Sequence, residues 1–540
     1  MVGATRRARR AGVAIAAALC WSAAVLPAAT ARPDGAATPV RSRSASGGVA
    51  EWSTVTGTDG RTWFADADGR ALGFRGFGNK TDHPATTFSE ALLDAGAERG
   101  FDLLRLGIWW DELEPVQGTW NEAYLDEVEV VLDRAEARGY RVIIDMHQDR
   151  FGPAFGDRGI PVWATRTDGA TFVPQETWLL DYLQPAVQNA FEHLYEDPDL
   201  RQAQIDVWRK VVDRVHDHPA LFGYDLMNEP FGKIRDGEDL LTAARRVEAT
   251  QLTPMYQRLV DAIAAVDADH WTFIEPPNLS SLGVATSLGE VTGPKVAYFP
   301  HMYSQEVEAA TYAPDGGDFT YDPRFFASWQ AAAQPYALRH GLPMLVGEWG
   351  IARPDVPGMD AFVRESVATL ERATSQGWTL WAACLGSSYC PFDADGNDRA
   401  GIDQVVTPFA RAIAGAPTSA TWDPDARVLQ VRYRDSAASG PTEIYVPEAK
   451  RFPEGFEVHL SGVEGAVDAP FDPATGVLAV EVADTGGDHA ICVVPAGWDG
   501  ACLAVDPVDA PATTTTAPPG SGPTGPPAAQ PVPGTPGYTG

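Results

Sequence analysis

Basic residues are scarce in this chain of 540 residues: 41 Lys and Arg face 73 Asp and Glu, for a formal net charge of −32. A surface that acidic has no basic face with which to neutralise phosphates, which excludes a nucleic-acid partner and mainly favours solubility. Cysteine is rare too, with five in all. Neither the Cys384/Cys390 nor the Cys492/Cys502 spacing resembles a zinc knuckle, and no histidine is placed to complete one, so no metal or other cofactor is expected. Beyond the N-terminus no apolar run reaches the length of a membrane helix.

The N-terminus itself carries Arg6, Arg7, Arg9 and Arg10, an apolar stretch from Ala11 to Val25, and Ala29-Thr30-Ala31 before Arg32. That is the layout of a secretory signal peptide over residues 1–31, and it predicts a secreted protein. Removing Cys20 with the signal leaves four cysteines in an oxidising compartment, for which the local pairs Cys384–Cys390 and Cys492–Cys502 are expected. Residues 32–50 are small and polar and read as a linker. Residues 505–540, rich in Pro, Thr, Gly and Ala, read as a disordered tail or cell-wall linker.

Between these ends, eight short apolar runs are bounded by turn residues: Leu72–Gly78, Leu103–Ile108, Arg141–Met146, Leu221–Met227, Trp271–Glu275, Val296–Pro300, Pro343–Gly347 and Trp378–Ala383. Stretches with helical spacing lie between them, for example Leu125–Arg138, Ile205–His216 and Ala361–Gln376. Eight strand–helix repeats predict a (β/α)8 TIM barrel over residues 51–417, with Ala410–Pro417 closing it. After that the texture alternates apolar and polar residues, predicting an antiparallel β-sandwich over 418–504 from Val428–Tyr433, Thr442–Val446, Phe456–Leu460, Val477–Val482 and His489–Val494.

Barrel chemistry sits where strands end, and this chain places polar groups there repeatedly. Arg105 lies on the second strand, Asp145 and His147 end the third, and Asn228 and Glu229 follow the fourth. His301 and Tyr303 follow the sixth, Glu348 ends the seventh, and Trp381 lies on the eighth. One glutamate at a strand end is ordinarily a capping or surface group. Two in one barrel, accompanied by convergent polar groups that are costly to bury unpaired, suit the acid and the nucleophile or base of glycoside hydrolysis.

Leu226-Met227-Asn228-Glu229-Pro230, Pro300-His301-Met302-Tyr303 and Val346-Gly347-Glu348-Trp349-Gly350 resemble the signatures of glycoside hydrolase family 5, over roughly Trp52 to Pro417. The resemblance implies a retaining double displacement with Glu229 as acid/base and Glu348 as nucleophile, supported by Arg105, His147, Asn228, His301, Tyr303 and Trp381. Asp145-Met146-His147-Gln148-Asp149, Gly78-Asn79-Lys80 and an appended sandwich resemble the endoglycoceramidase subgroup, which separates glycan from ceramide in glycosphingolipids. Lys80, Asp145 and Asp149 would then contact the sugar next to ceramide. Phe231-Gly232-Lys233 departs from the aromatic-Pro-Gly found after the acid/base segment in some members, which leaves head-group preference open, steryl and galactosylceramide glycosides included.

A ceramide substrate needs apolar surface for its tails. The long third loop offers Phe151, Phe155, Ile160, Pro161, Val162, Trp163, Phe172, Val173 and Trp178 as a groove, or as the core of an insertion, and transient contact with a lipid surface is expected of a monomer. The alternatives are a family 5 β-glucanase or cellulase acting on polysaccharide, and a non-catalytic glycolipid binder. A binder has no need of both glutamates.

Overall fold

The computed structural model describes residues 51–500, apart from 80–82, 176–177, 305, 308–318, 355, 375, 387–388, 463–468 and 484–485. The signal, linker and tail segments, Lys80 and Cys502 therefore lie outside the described residues. Eight parallel strands form one sheet in the order β10-β11-β4-β5-β6-β7-β8-β9. They are β4 (Phe74–Asn79), β5 (Leu103–Trp109), β6 (Arg141–His147), β7 (Leu221–Asp225), β8 (Trp271–Ile274), β9 (Val296–Tyr298), β10 (Val346–Trp349) and β11 (Gly377–Ala383). Parallel bridges Tyr298–Met344 and Met302–Trp349 join β9 to β10, so the sheet closes into a barrel.

All eight strands fall on the apolar runs of the sequence, because a parallel strand covered on both faces must be apolar throughout. The helices follow the same logic. Glu122–Glu136 starts at Asn121, whose side chain accepts from the Tyr124 N–H, and it buries Tyr124, Leu125, Val128, Val131, Leu132 and Ala135 at three- and four-residue spacing.

The second layer differs from the expectation. β1 (Ser53–Thr56), β2 (Thr62–Ala65) and β3 (Ala71–Leu72) precede the barrel, yet they continue into β12 (Phe409–Ile413), β15 (Thr442–Tyr445), β18 (Val477–Val480) and β17 (Phe471–Asp472) as one seven-stranded sheet. A four-stranded sheet of β13 (Ala416–Asp423), β14 (Val428–Arg434), β19 (Asp488–Pro495) and β16 (Phe456–Ser461) completes the sandwich. Residues 409–417 thus belong to the sandwich and do not close the barrel. Ala412 and Ile413 pair with Leu72 and Ala71, a contact between chain ends that local periodicity cannot announce.

One apolar cluster joins Trp63 and Ala71 to Ile413, Val431, Ile444 and Ile491 across both sheets. Another places Trp52, Phe64 and Leu72 among Phe74, Phe222, Trp271 and Phe273. Phe64 meets Trp271 edge-on with centroids 4.8 Å apart, and Phe222 at 5.3 Å. The N-terminal hairpin plugs the end of the barrel where strands begin, leaving the opposite rim for polar groups. The expected Cys384–Cys390 disulfide is present just past β11; the Cys492 pairing rests on Cys502 and is not described.

Candidate active site

Ten of the eleven site residues expected from sequence are described, and their side chains meet above the ends of the barrel strands. Arg105, on β5, is 1% exposed and points into the barrel mouth. Its Nη1 donates to Glu348 Oε1 at 2.5 Å. Its Nε and Nη2 donate to Asp225 Oδ2 at 2.9 and 2.7 Å, and Nη2 also reaches Glu275 Oε1 at 2.8 Å, Asn228 Oδ1 at 3.0 Å and Asp145 Oδ1 at 3.1 Å. A buried guanidinium is tolerable only when carboxylates surround it, and these hold the charge well above its ordinary pKa despite burial.

Glu348, on β10, is held from two sides: Arg105 takes Oε1 and the Tyr303 hydroxyl donates to Oε2 at 3.0 Å. Burial nonetheless pushes its carboxyl above the ordinary value, opposed by the charges of His301, Arg105 and His147 and reinforced by Glu229. Glu229 follows β7, with its side chain accepting from His301 Nδ1 at 2.9 Å. Its backbone has φ +38°, a left-handed conformation that a glutamate adopts only under constraint. That constraint is visible: Gln148 Nε2 donates to the carbonyls of Asn228 and Glu229, both at 2.9 Å, and the Glu229 N–H donates to Glu275 Oε2 at 2.8 Å.

His301 Nδ1 lies 3.8 Å from Glu348 Oε2, and acceptor atoms of Glu229, His301 and Glu348 all fall within 4.8 Å of one another. The two carboxyls therefore face a common gap with the imidazole beneath it. Carboxylates of Glu275, Glu348 and Glu229 hold His301 protonated well above its ordinary pKa, against burial.

The rim is finished by His147. Its Nδ1 meets Asp145 Oδ2 at 2.7 Å, its Nε2 lies 3.4 Å from Asn228 Nδ2 and 3.6 Å from Asp149 Oδ2, and its ring stacks on Trp381 at 5.4 Å and 6°. Burial disfavours the charge on His147, but Asp145 and Asp149 outweigh it and push its pKa up to about 10. Trp381 remains half-exposed beside it, an indole face of the kind that stacks on sugars.

Two functional residues went unread in the sequence. Asp225 is the last residue of β7, and Glu275 follows β8; both are buried beneath Arg105. A signal existed for Glu275, since Ile274-Glu275-Pro276 repeats the strand-end acid followed by proline seen in Asn228-Glu229-Pro230.

Of the two readings of the third loop, the core of the insertion holds for most of its residues. Phe151, Phe155 and Ile160 are buried, and Phe151 packs on Phe155 and Phe191 at 6.1 and 5.0 Å. Phe172 packs on Phe155 at 5.2 Å, Trp163 is half-buried against Trp110, and Pro161 is buried. An insertion of this length must first bury its own aromatics, so these residues form its core. Val162 and Val173 are exposed, and so are Leu179, Leu180 and Leu183 at 41–44%. Trp178 begins the turn Trp178–Asp181, and its side chain lies outside the described residues.

Comparison with known proteins matches residues 65–387 to the family model "Cellulase (glycosyl hydrolase family 5)" and residues 408–493 to "Glycoside hydrolase family 5 C-terminal domain". Endoglycoceramidase I of Rhodococcus hoagii (strain 103S) is 27% identical over 475 residues, covering 84% of this chain and 91% of the relative. The solved ganglioside GM3 complex of endo-glycoceramidase II from Rhodococcus sp. is 30% identical with a TM-score of 0.70, covering 81% of this chain and 100% of that one. The lactosyl-enzyme intermediate of the same enzyme gives 32% and 0.69, over 80% and 99%. Both the barrel that carries the paired glutamates and the sandwich behind it are thereby accounted for, and this chain belongs to glycoside hydrolase family 5, with endoglycoceramidases among its relatives.

Proposed function

We propose that this glycoside hydrolase cuts the β-glycosidic bond between glycan and ceramide of glycosphingolipids, with retention, releasing intact oligosaccharide and ceramide. The observation that carries the reaction is the spacing of the two carboxyls, whose nearest oxygens lie within 4.8 Å. Retaining enzymes hold their carboxyl groups about 5–5.5 Å apart and inverting enzymes about 6.5–9.5 Å; the short oxygen–oxygen approach lies toward the retaining side, and the lactosyl-enzyme intermediate of the 32%-identical relative supports retention. In this reading Glu348 attacks the anomeric carbon while Glu229 protonates the departing ceramide oxygen. Glu229 then takes a proton from the water that releases the glycan. Arg105 and Tyr303 aim the attacking oxygen, Asn228 and His147 border the sugar, and Trp381 offers it a flat face.

The lipid half of the proposal is supported by the GM3 complex of the 30%-identical relative and by the apolar side chains exposed on the third loop. Val173 is tied to that patch through its N–H, which donates to Gln184 Oε1 at 2.8 Å, and Leu183 N–H donates to Leu180 O at 3.1 Å. This loop follows β6, on the same rim as the glutamates, so an apolar surface beside the site could rest on a micelle or bilayer. The N-terminal signal pattern supports action outside the cell.

The test is a panel of defined glycosphingolipids and cello-oligosaccharides with products identified by mass. Intact oligosaccharide plus ceramide is the expected outcome; shortened cello-oligosaccharides with untouched glycolipid would overturn the lipid assignment and favour a β-glucanase. A second expectation concerns pH. Glu348 must be ionised to attack, and its raised pKa means that kcat/KM falls as pH drops through a value above 4.5, the ordinary glutamate figure. A pH profile of kcat/KM on an aryl lactoside checks this, and an acid limb below 4.5 would contradict it.

A further inference from the structure

The geometry points to Glu275 as the positioning residue that sets the state of the catalytic pair from below: one buried carboxylate holds the Glu229 backbone in place and keeps His301 in its cationic form beside both glutamates. This rests on the proposed roles of Glu229 and Glu348. Glu275 is 1% exposed, and its carboxylate meets three parts of the site. Oε2 accepts the Glu229 N–H at 2.8 Å, which fixes the residue that carries the left-handed φ. Oε1 accepts from Arg105 Nη2 at 2.8 Å and lies 3.1 Å from His301 Nε2. The backbone carbonyl is pinned as well, by the Tyr256 hydroxyl at 2.8 Å.

The groups facing this assembly come from five strand ends. His301 meets Glu229, Glu275 and Glu348, while Glu275 meets Arg105, Asp225, His301 and Glu229. Asp225 and Glu275 are adjacent buried acids that share Arg105. Burial and the Glu275 charge push Asp225 well above the ordinary carboxylate range, opposed by Arg105, and its side chain hydrogen-bonds to Glu275. Glu275 keeps the negative charge, held down to about 2 against burial by His301 and Arg105. Glu275 is the member of this pair that faces His301, with Oε1 3.1 Å from Nε2, and its charge is the foremost one favouring the imidazolium. The imidazolium in turn is the foremost charge opposing the burial that raises Glu348.

Replacing Glu275 with Gln keeps the volume but removes the anion, and its amide turns donor hydrogens toward groups that already donate. His301 then loses the carboxylate that faces Nε2 at 3.1 Å, and Glu348 loses the benefit of the adjacent cation. The experiment is a pair of measurements on the full chain and on E275Q and E275D: 15N NMR of the His301 ring across the working pH range, and the acid limb of kcat/KM on an aryl lactoside. In the parent protein both ring nitrogens are expected to stay protonated throughout. In E275Q the ring should lose a proton within the range, and the acid limb should move up by about one pH unit, the scale of one close charge. E275D should restore the doubly protonated signal.

A purely structural role would lower kcat in E275Q without moving the acid limb or the ring signals, and that result overturns the assignment. So does a neutral His301 in the parent protein, which needs no variant and stands if E275Q fails to fold. If the acid limb and ring move as expected while azide rescue of a Glu348 variant fails, the error lies in the catalytic roles and not in Glu275.

Discussion

Glu348→Ala is expected to lower kcat/KM on glycolipid by about 10⁴-fold or more, the scale on which loss of a nucleophile costs hydrolases. Each tenfold is about 1.4 kcal/mol of barrier, so roughly 5.5 kcal/mol of transition-state stabilisation would vanish. The structure also says what should restore activity. Alanine vacates the space between Arg105 Nη1 and the Tyr303 hydroxyl, two donors that contacted opposite oxygens of Glu348. A small anion such as azide would be held there, and on an aryl lactoside, with Glu229 still in place, it should give the α-glycosyl azide by a single inversion. Absence of rescue by azide, a β-glycosyl azide as product, or full activity without azide would remove Glu348 from the proposed role. The fold should survive, because Arg105 keeps Asp145, Asp225 and Glu275 as partners and is not left as an uncompensated buried charge.

Glu229→Gln should produce a different pattern, since protonation matters only when the leaving group is poor. Ceramide leaves as an alkoxide unless a proton is supplied, so kcat/KM on natural glycolipid should fall about 10²–10⁴-fold, the usual contribution of a general acid. An aryl lactoside with an acidic phenol needs no proton, and its kcat/KM should change little. Its kcat should still drop, because the same residue must deprotonate water in the second step, and a burst of phenol should mark the accumulating glycosyl-enzyme. Equal losses on both substrates would count against acid catalysis. The substitution is nearly isosteric and leaves Gln148, Glu275 and His301 to hold the backbone and side chain.

Much of the site was legible because its residues stand at strand ends, where a one-residue step from an apolar run to a polar side chain is easy to see. Glu348 closing Val346-Gly347, and His147 closing Arg141–Met146, are of that kind. Asp225 was not legible: it sits inside Leu221–Met227, where a lone acid in an apolar run carries no sign of the guanidinium that makes it tolerable. Glu275 had a strand-end position and a following proline, but with no partner in view it was indistinguishable from a cap. The third loop stayed open between groove and insertion core for a related reason. Composition counts aromatics without saying which bury one another, and Phe151, Phe155 and Phe172 pack together as an internal core while Val162, Val173, Leu179, Leu180 and Leu183 are exposed.

Local pattern alone therefore determined the eight barrel strands, the alternating texture of most of the sandwich, and two glutamates at strand ends, while the family rested on the resemblance of the segments around them. Those features follow from period and from adjacency along the chain. Only the tertiary structure decided that β1–β3 and β12 complete the sandwich, that an oxygen of each catalytic carboxyl lies within 4.8 Å of the other, and that the Glu275 carboxylate meets both the Glu229 N–H and the His301 ring. Each of these depends on residues far apart in sequence meeting in a buried place, and the energy of a buried charge is set by its neighbours in space.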